Sequence, residues 1–280
     1  MFVCHRMRTM WLIFSVLMLL FGASHQAASQ TSRKNALFDA VKKGHLTAVK
    51  SLLARGADPN TKGHDGFTPL AEAAWWNQPE VARLLLARGA DVNASLEGGT
   101  TALLIAANRG YTAVAILLLK GGADVKAKDM AGQTALEYAA AGGYPSLVQV
   151  LLAHGSDVNA ADKSGNTALL AAVRIWAFVN DAVAGNLGEK ETFGFYWGAP
   201  LASREEEYMN TQHVGYVNEK LQKKMIAGIQ SDFAETVKIL LASGADPSIT
   251  EKANKSALDY AQGKANASIL QLLQQYRTRS

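Results

Sequence analysis

This chain predicts an all-α solenoid of about six stacked helix-turn-helix units, and three observations carry that expectation. Gly-Ala-Asp stands at 56–58, 89–91 and 122–124, continues as Gly-Ser-Asp at 155–157 and returns at 244–246, so that the first four are spaced by 33 residues. Threonine keeps the same ruler at Thr68, Thr101, Thr134 and Thr167, each with glycine two before it and leucine two after it. Every unit also divides into a thin, alanine-rich segment and a bulkier aliphatic one, both with helical periodicity.

Within a unit, Gly66, Gly99, Gly132 and Gly165 allow a hairpin-like turn with positive φ, and the following Thr hydroxyl caps a first helix. Ala73-Ala74, Ala106-Ala107 and Ala139-Ala140 keep that helix thin, so that neighbouring units approach closely. The second helix carries the bulk, as in Val81, Leu84, Leu85 and Leu86 or Val114, Ile116, Leu117 and Leu118. It ends at the Gly of Gly-Ala-Asp, where a left-handed cap suits glycine. Neither helix buries its apolar face alone, so the units must stack.

These residues resemble the ankyrin repeat family, most fully in DGFTPLAEAAWWNQPEVARLLLARGADVNAS at 65–95. The units run over about 32–62, 63–95, 96–128, 129–161, 162–250 and 251–280 of a repeat domain spanning 30–280. One departure stands out: the histidine that the family usually places after Thr-Pro-Leu is Ala71, Leu104, Glu137 or Leu170. Its side-chain ladder between repeats is therefore expected to be absent, with packing holding more of the stack. Lys34, Lys42, Lys43 and Lys50 at one end, and Gln271, Gln274, Gln275, Arg277 and Arg279 at the other, supply polar outer faces.

The fifth unit is longer than the others. Asp157 and Asp246 are 89 residues apart, leaving about 56 additional residues at about 177–232, between Trp176 and a second helix expected over 233–241. Ile175, Phe178, Val179, Ala182 and Val183 suggest that the first helix runs on past the repeat and ends near Gly185 and Gly188. Beyond the aromatic stretch 193–197, Ser203-Arg204-Glu205-Glu206 has capping-box spacing, and Val217, Leu221, Met225 and Ile229 mark another helical stripe. The insertion reads as a helical outgrowth whose aromatic tip packs back on the stack or is presented to a partner. Glu205–Glu207 and Lys220, Lys223 and Lys224 read as solvated helix faces.

Residues 1–29 have the order of a secretory signal: His5, Arg6 and Arg8, an apolar run from Trp11 to Phe21, then small residues, with cleavage expected after Ser24 or near Ser29. That run is shorter than the roughly 20 residues a membrane span needs. The expectation is an exported chain, periplasmic or secreted, with no stable membrane anchor after cleavage. Removing Arg6 and Arg8 takes the formal charge from +4 to +2, which argues against nucleic acid as a partner. Cys4 is the one cysteine and lies in the signal, so thiol chemistry is excluded from the mature chain. His25, His45, His64, His154 and His213 form no metal-ligand spacing, and the chain has neither a nucleophile elbow nor a phosphate-binding loop. No metal, cofactor or catalytic set is expected.

The sequons at Asn93, Asn254 and Asn266 are read as structural, Asn93 belonging to the Asp-Val-Asn turn and Asn254 preceding the last helix cap. The resemblance implies a protein partner, held by hairpin tips and the exposed ends of first helices on a concave face. Unit by unit that face gives Lys62, His64, Asp65, Phe67, Trp75 and Trp76, then Glu97, Thr100, Asn108 and Arg109, then Lys128, Met130 and Gln133, then Lys163, Asn166 and Arg174. Adjacent helical residues lie about 100° apart, so Trp75 and Trp76 do not both enter one core contact, and at least one is exposed. With Arg109 and Arg174 they form the expected anchor set, and Phe195, Tyr196 and Trp197 offer a second address at the tip of the insertion. The expected molecule is a monomeric binding module, acting as adaptor or accessory protein. The alternative is an inhibitor that plugs an enzyme with its insertion.

Overall fold

A computed structural model describes residues 32–63, 66–183, 219–262 and 267–277. Helix α1 covers 32–42. It is followed by α2 (Leu46–Ala54), α3 (Pro69–Trp75), α4 (Pro79–Ala87), α5 (Ala102–Arg109), α6 (Thr112–Lys120), α7 (Ala135–Ala141) and α8 (Pro145–Ala153). The chain continues through α9 (Ala168–Val183), α10 (Glu219–Ala242), α11 (Ala257–Tyr260) and α12 (Ala267–Arg277). The first helices α3, α5, α7, α9 and α11 pack side by side in one row, and α2, α4, α6, α8, α10 and α12 form the second.

The caps are those the sequence predicts. Thr68, Thr101, Thr134 and Thr167 each accept a hydrogen bond from the amide three residues on, at 3.2–3.4 Å. Ser256 takes the place of threonine in the last unit and adds a capping box with Asp259. Glycines 66, 99, 132 and 165 all have positive φ, and at the equivalent turn Asn254 adopts a φ of 57°. Isolated antiparallel bridges, Ser95 with Thr101, Lys128 with Thr134, Ala161 with Thr167 and Thr250 with Ser256, close the hairpins.

The core is one continuous cluster running from Leu37 to Leu273. Ala71, Ala73, Ala74, Ala106, Ala107, Ala139, Ala140 and Ala172 are fully or almost fully buried between first helices, which is what their small size permits. Leu85, Leu118, Leu151 and Leu240 fill the space beneath the second helices.

The expectation that no side-chain ladder links the repeats needs correcting, because asparagine supplies one elsewhere. Asn60 accepts from the amide of Asp91 at 2.7 Å and donates to the carbonyl of Gly89 at 3.0 Å. Asn93 makes the same pair to Asp124 and Gly122, and Asn159 makes it to Asp246 and Gly244 across the whole insertion. Backbone bonds between hairpins add Met130 N to Gly98 O, Lys163 N to Ala131 O and Lys252 N to Ser164 O, at 2.7–2.9 Å. Asn93 is therefore spent inside the fold, in keeping with the structural reading of its sequon.

Lys126 occupies the third ladder position, between Asn93 and Asn159, and its side chain makes no such pair to Gly155 and Asp157. Lys126→Asn is expected to stabilise the stack by about 1–2 kcal/mol, and Asn93→Ala to destabilise it by a similar amount, since two hydrogen bonds are gained or lost. Urea unfolding midpoints check both. Unchanged midpoints would mean that the hairpin backbone couples the repeats by itself.

In the fifth unit α9 runs to Val183, past the expected end of the repeat, as the apolar spacing predicts. The second helix differs from the expectation: instead of starting at 233 it is the end of a continuous helix from Glu219. The i, i+4 stripe Ile229, Phe233 and Val237 passes through Asp232 without a proline or cap to interrupt it, so the two expected helices are one. Asn180 of α9 accepts from Gln230 of α10 and ties the extended pair together at its base. The expected glycine stop at 185 and 188, the aromatic stretch 193–197 and the cap at 203 lie outside the described residues.

Candidate functional site

The face made by hairpins and first helices brings together four of the expected residues, Phe67, Trp75, Trp76 and Arg109. Trp75 ends α3 and Trp76 is its C-cap, so both belong to its last turn. They are 37% and 36% exposed, so the burial is shared between the two rings. Phe67, on the hairpin arm, meets Trp75 edge-on at 5.9 Å between ring centroids. The Arg109 guanidinium from the next repeat lies 3.8 Å from the centre of the Trp75 ring, and the Lys42 ammonium lies 4.8 Å from that of Trp76. Trp76 also donates its indole N–H to Glu72 at 2.8 Å.

Between α1 and α3 these rings border a cleft of about 560 Å³, lined by Lys34, Asn35, Phe38, Asp39, Gly63, Phe67, Glu72, Trp75 and Trp76. Four aromatic side chains from three segments thus face one space. The indole N–H of Trp75 has no acceptor among the described residues. Phe38 and Asp39 are not evident in the sequence, where α1 reads only as a polar cap. The ruler holds a signal for them, since they lie 33 residues before Ala71 and Glu72.

The other expected residues are placed apart from this cleft. Met130 stands at a hairpin tip and is 71% exposed. Lys128 reaches across one repeat to the carbonyl of Ala161 at 3.0 Å. Asn108 is half-buried, with its carbonyl oxygen buried and unpartnered. Arg174 lies two repeats beyond Arg109 and is engaged within the fold: it donates to Asn166 at 3.2 Å and sits 3.8 Å from Glu251 of the last hairpin. His64 and Asp65, and Phe195, Tyr196 and Trp197, lie outside the described residues.

Arg174 belongs to a polar seam along the hairpins of the fourth to sixth units. Asp129 accepts from the amides of Ala131 and Gln133 and from the Tyr138 hydroxyl, the last at 2.6 Å. Asp162 accepts from the amides of Ser164 and Asn166 and from the Asn166 side chain. Tyr260 donates to Glu251 in the same manner as Tyr138 to Asp129. Burial and the neighbouring carboxylate push the Tyr138 and Tyr260 hydroxyls above the ordinary tyrosine range. The acid at the centre is Glu137, which is 3% exposed and stands where the family usually has histidine. Burial pushes its carboxyl up to about 8, with Asp162 and Asp129 adding to the rise and Gln133 and Arg174 opposing it. Its Oε1 accepts from Gln133 of the same repeat, and its Oε2 is buried without a partner. Among the described residues no group of histidines, cysteines and acids is arranged to hold a metal ion, and no helix is long and apolar enough to cross a membrane.

Helix pairs stacked through alanine faces, hairpins projecting from one edge and exposed aromatic rings beside them define a repeat solenoid of the protein-binding class. A family model described as ankyrin repeats, in three copies, matches residues 13–96 and 94–162. Those segments take in more than half of the 280 residues, and the chain belongs to the ankyrin repeat family, a family of protein–protein interaction modules. The architecture continues beyond the matched segments, through the hairpin at Ala161–Thr167 to the capped last unit.

Proposed function

We propose that this chain is an exported, monomeric adaptor or accessory protein that captures a protein partner on the face carrying Trp75 and Trp76. The observation that supports this most directly is the aromatic cleft itself. Two indoles held part-exposed by Phe67, Arg109, Lys42 and Glu72 present rigid apolar area at little entropic cost, and tryptophan dominates interface hot spots. Export is read from the signal-like order of residues 1–29.

The Trp75→Ala/Trp76→Ala double variant is expected to weaken partner binding by at least about 30-fold, corresponding to roughly 2 kcal/mol for a central anchor. Affinity purification from the exported fraction, with mass spectrometry, identifies the partner and measures the loss. Undiminished recovery by a folded double variant would remove this face from consideration.

A second reading, an inhibitor that blocks an enzyme with its insertion, is favoured by one feature. The paired extensions of α9 and α10 are tied together by Asn180 and Gln230 as a helical stalk. Deleting 186–202 separates the two readings: inhibition is lost under the second, and partner recovery is retained under the first.

A further inference from the structure

The cleft beside Trp75 carries information about what it binds. Its walls are aromatic, and its charged lining consists of two carboxylates, Asp39 and Glu72, against one ammonium, Lys34. Arg109 and Lys42, which stack on the two indoles, are not part of that lining. Among the described residues Lys34 is therefore the cation of the lining, and neither Arg109 nor Lys42 occupies the space that the indoles border. Asp39 is exposed, and its carboxylate meets no donor among the described residues.

Aromatic faces attract cations through their quadrupole, and a nearby carboxylate strengthens that preference by charge. The same rings already show this chemistry, holding a guanidinium at 3.8 Å and an ammonium at 4.8 Å. An indole with one cation already stacked on it attracts a second less strongly, so the carboxylates are what make another one favourable here. A carboxylate-bearing ligand would meet like charge from Asp39 and Glu72 in the lining, where Lys34 opposes them, while Lys42 and Arg109 stand on the rings outside it.

We infer that the cleft receives a basic side chain of the partner protein, an arginine above all, laid against the Trp75, Trp76 and Phe67 rings and paired with Asp39. Guanidinium suits the site better than ammonium because it is planar, stacks on aromatic faces and gives up its hydration more readily. This rests on the reading of the cleft as the partner-binding surface and adds the chemistry of the residue that enters it.

The test titrates the full chain, labelled with ¹⁵N, with the peptide acetyl-Gly-Ser-Arg-Ser-Gly-amide and with versions carrying citrulline or glutamate in place of arginine. The indole N–H signals of Trp75 and Trp76 are assigned from W75F and W76F. The arginine peptide is expected to shift both signals and to bind at least about fivefold more tightly than the neutral citrulline peptide. Asp39→Asn, a surface change on α1, is expected to reduce that affinity about threefold or more. Equal affinity for arginine and citrulline, preference for the glutamate peptide, or no indole shift at saturating arginine peptide overturns the inference.

Partner capture distinguishes this inference from the reading beneath it. Undiminished recovery with W75A/W76A overturns the cleft as docking surface. Lost recovery with W75A/W76A, together with full recovery by Asp39→Lys, leaves the docking surface standing and overturns the basic ligand. Loss in both supports the two together.

Discussion

Replacing Glu137 by glutamine is expected to flatten the dependence of stability on pH between about 5 and 8 and to raise the stability of the stack at pH 8 and above. The carboxyl is 3% exposed; its Oε1 accepts one bond, from Gln133 at 3.2 Å, and its Oε2 is buried without a partner. Burial raises its folded-state value to about 8 from 4.5. The folded chain therefore keeps a proton that the unfolded chain has released. Its contribution is complete below 4.5, falls as pH rises from there, and is lost once pH passes about 8. A difference of that size corresponds to on the order of 5 kcal/mol between the ends of the window.

Two other acids act in the opposite sense and in another range. Hydrogen bonds from Ser248 and Ser256 hold Asp246 and Asp259 below their ordinary value of 3.8, so what they contribute is lost only as the solution becomes more acid than that. Urea unfolding at pH 5 and 8.5 isolates Glu137. Glu137→Leu provides the second comparison, because Leu104 and Leu170 are buried at the same place in the neighbouring units. Parallel stability profiles for the natural chain and both variants would show that the carboxyl is solvated and ionised throughout.

Phe233→Ala is expected to destabilise the protein by about 3–5 kcal/mol, the usual range for removing a large aromatic side chain from a packed core. Phe233 is fully buried on α10, and its ring approaches within 3.0 Å of the point where a Cβ on Gly143 would lie. Gly143 turns from α7 to α8 with a φ of 63°, so the turn of the fourth unit admits the ring of the fifth only because it has no side chain. Gly143→Ala should destabilise too, through both the backbone and the contact. Denaturant unfolding of Phe233→Ala gives the magnitude. A loss below about 1 kcal/mol would mean that the end of α10 is appended to the stack and not a part of it.

The Thr caps, the positive-φ glycines and the alanine interface are all legible in the sequence, because each depends on residues within one turn and repeats on a fixed ruler. The interruption of that ruler also locates the insertion and the extension of α9. Spacing does not show that the last part of the insertion is fused with the second helix. A polar Asp232 inside a continuing apolar stripe looks like a boundary when the units are aligned, whereas the backbone passes through it unbroken.

The candidate binding face is legible in outline. The adjacency of Trp75 and Trp76 predicts exposure of at least one, and both are part-exposed. Arg109 is expected as an anchor of its own, and in the fold it also holds Trp75 in place. The ruler sets Phe38 and Asp39 level with Ala71 and Glu72, but it does not show that Phe38, Asp39 and Glu72 line a cleft, which depends on which side of α1 and α3 borders the space between them. Arg174 falls at the place of Asn108 on the 33-residue ruler, one position before that of Arg109, and Asn166 and Glu251 engage it.

The sequence by itself determined the repeat, its length and its family, since a 33-residue recurrence of caps, turns and small residues has one economical packing solution. It also determined that histidine is missing from its usual place. Only the tertiary structure decided what that absence means. Asn60, Asn93 and Asn159 link neighbouring turns through groups 29 or more residues away, and Glu137 becomes a buried neutral acid through its surroundings in three dimensions. Both effects arise where one repeat meets the next, and the chemistry of such a seam belongs to pairs of distant residues.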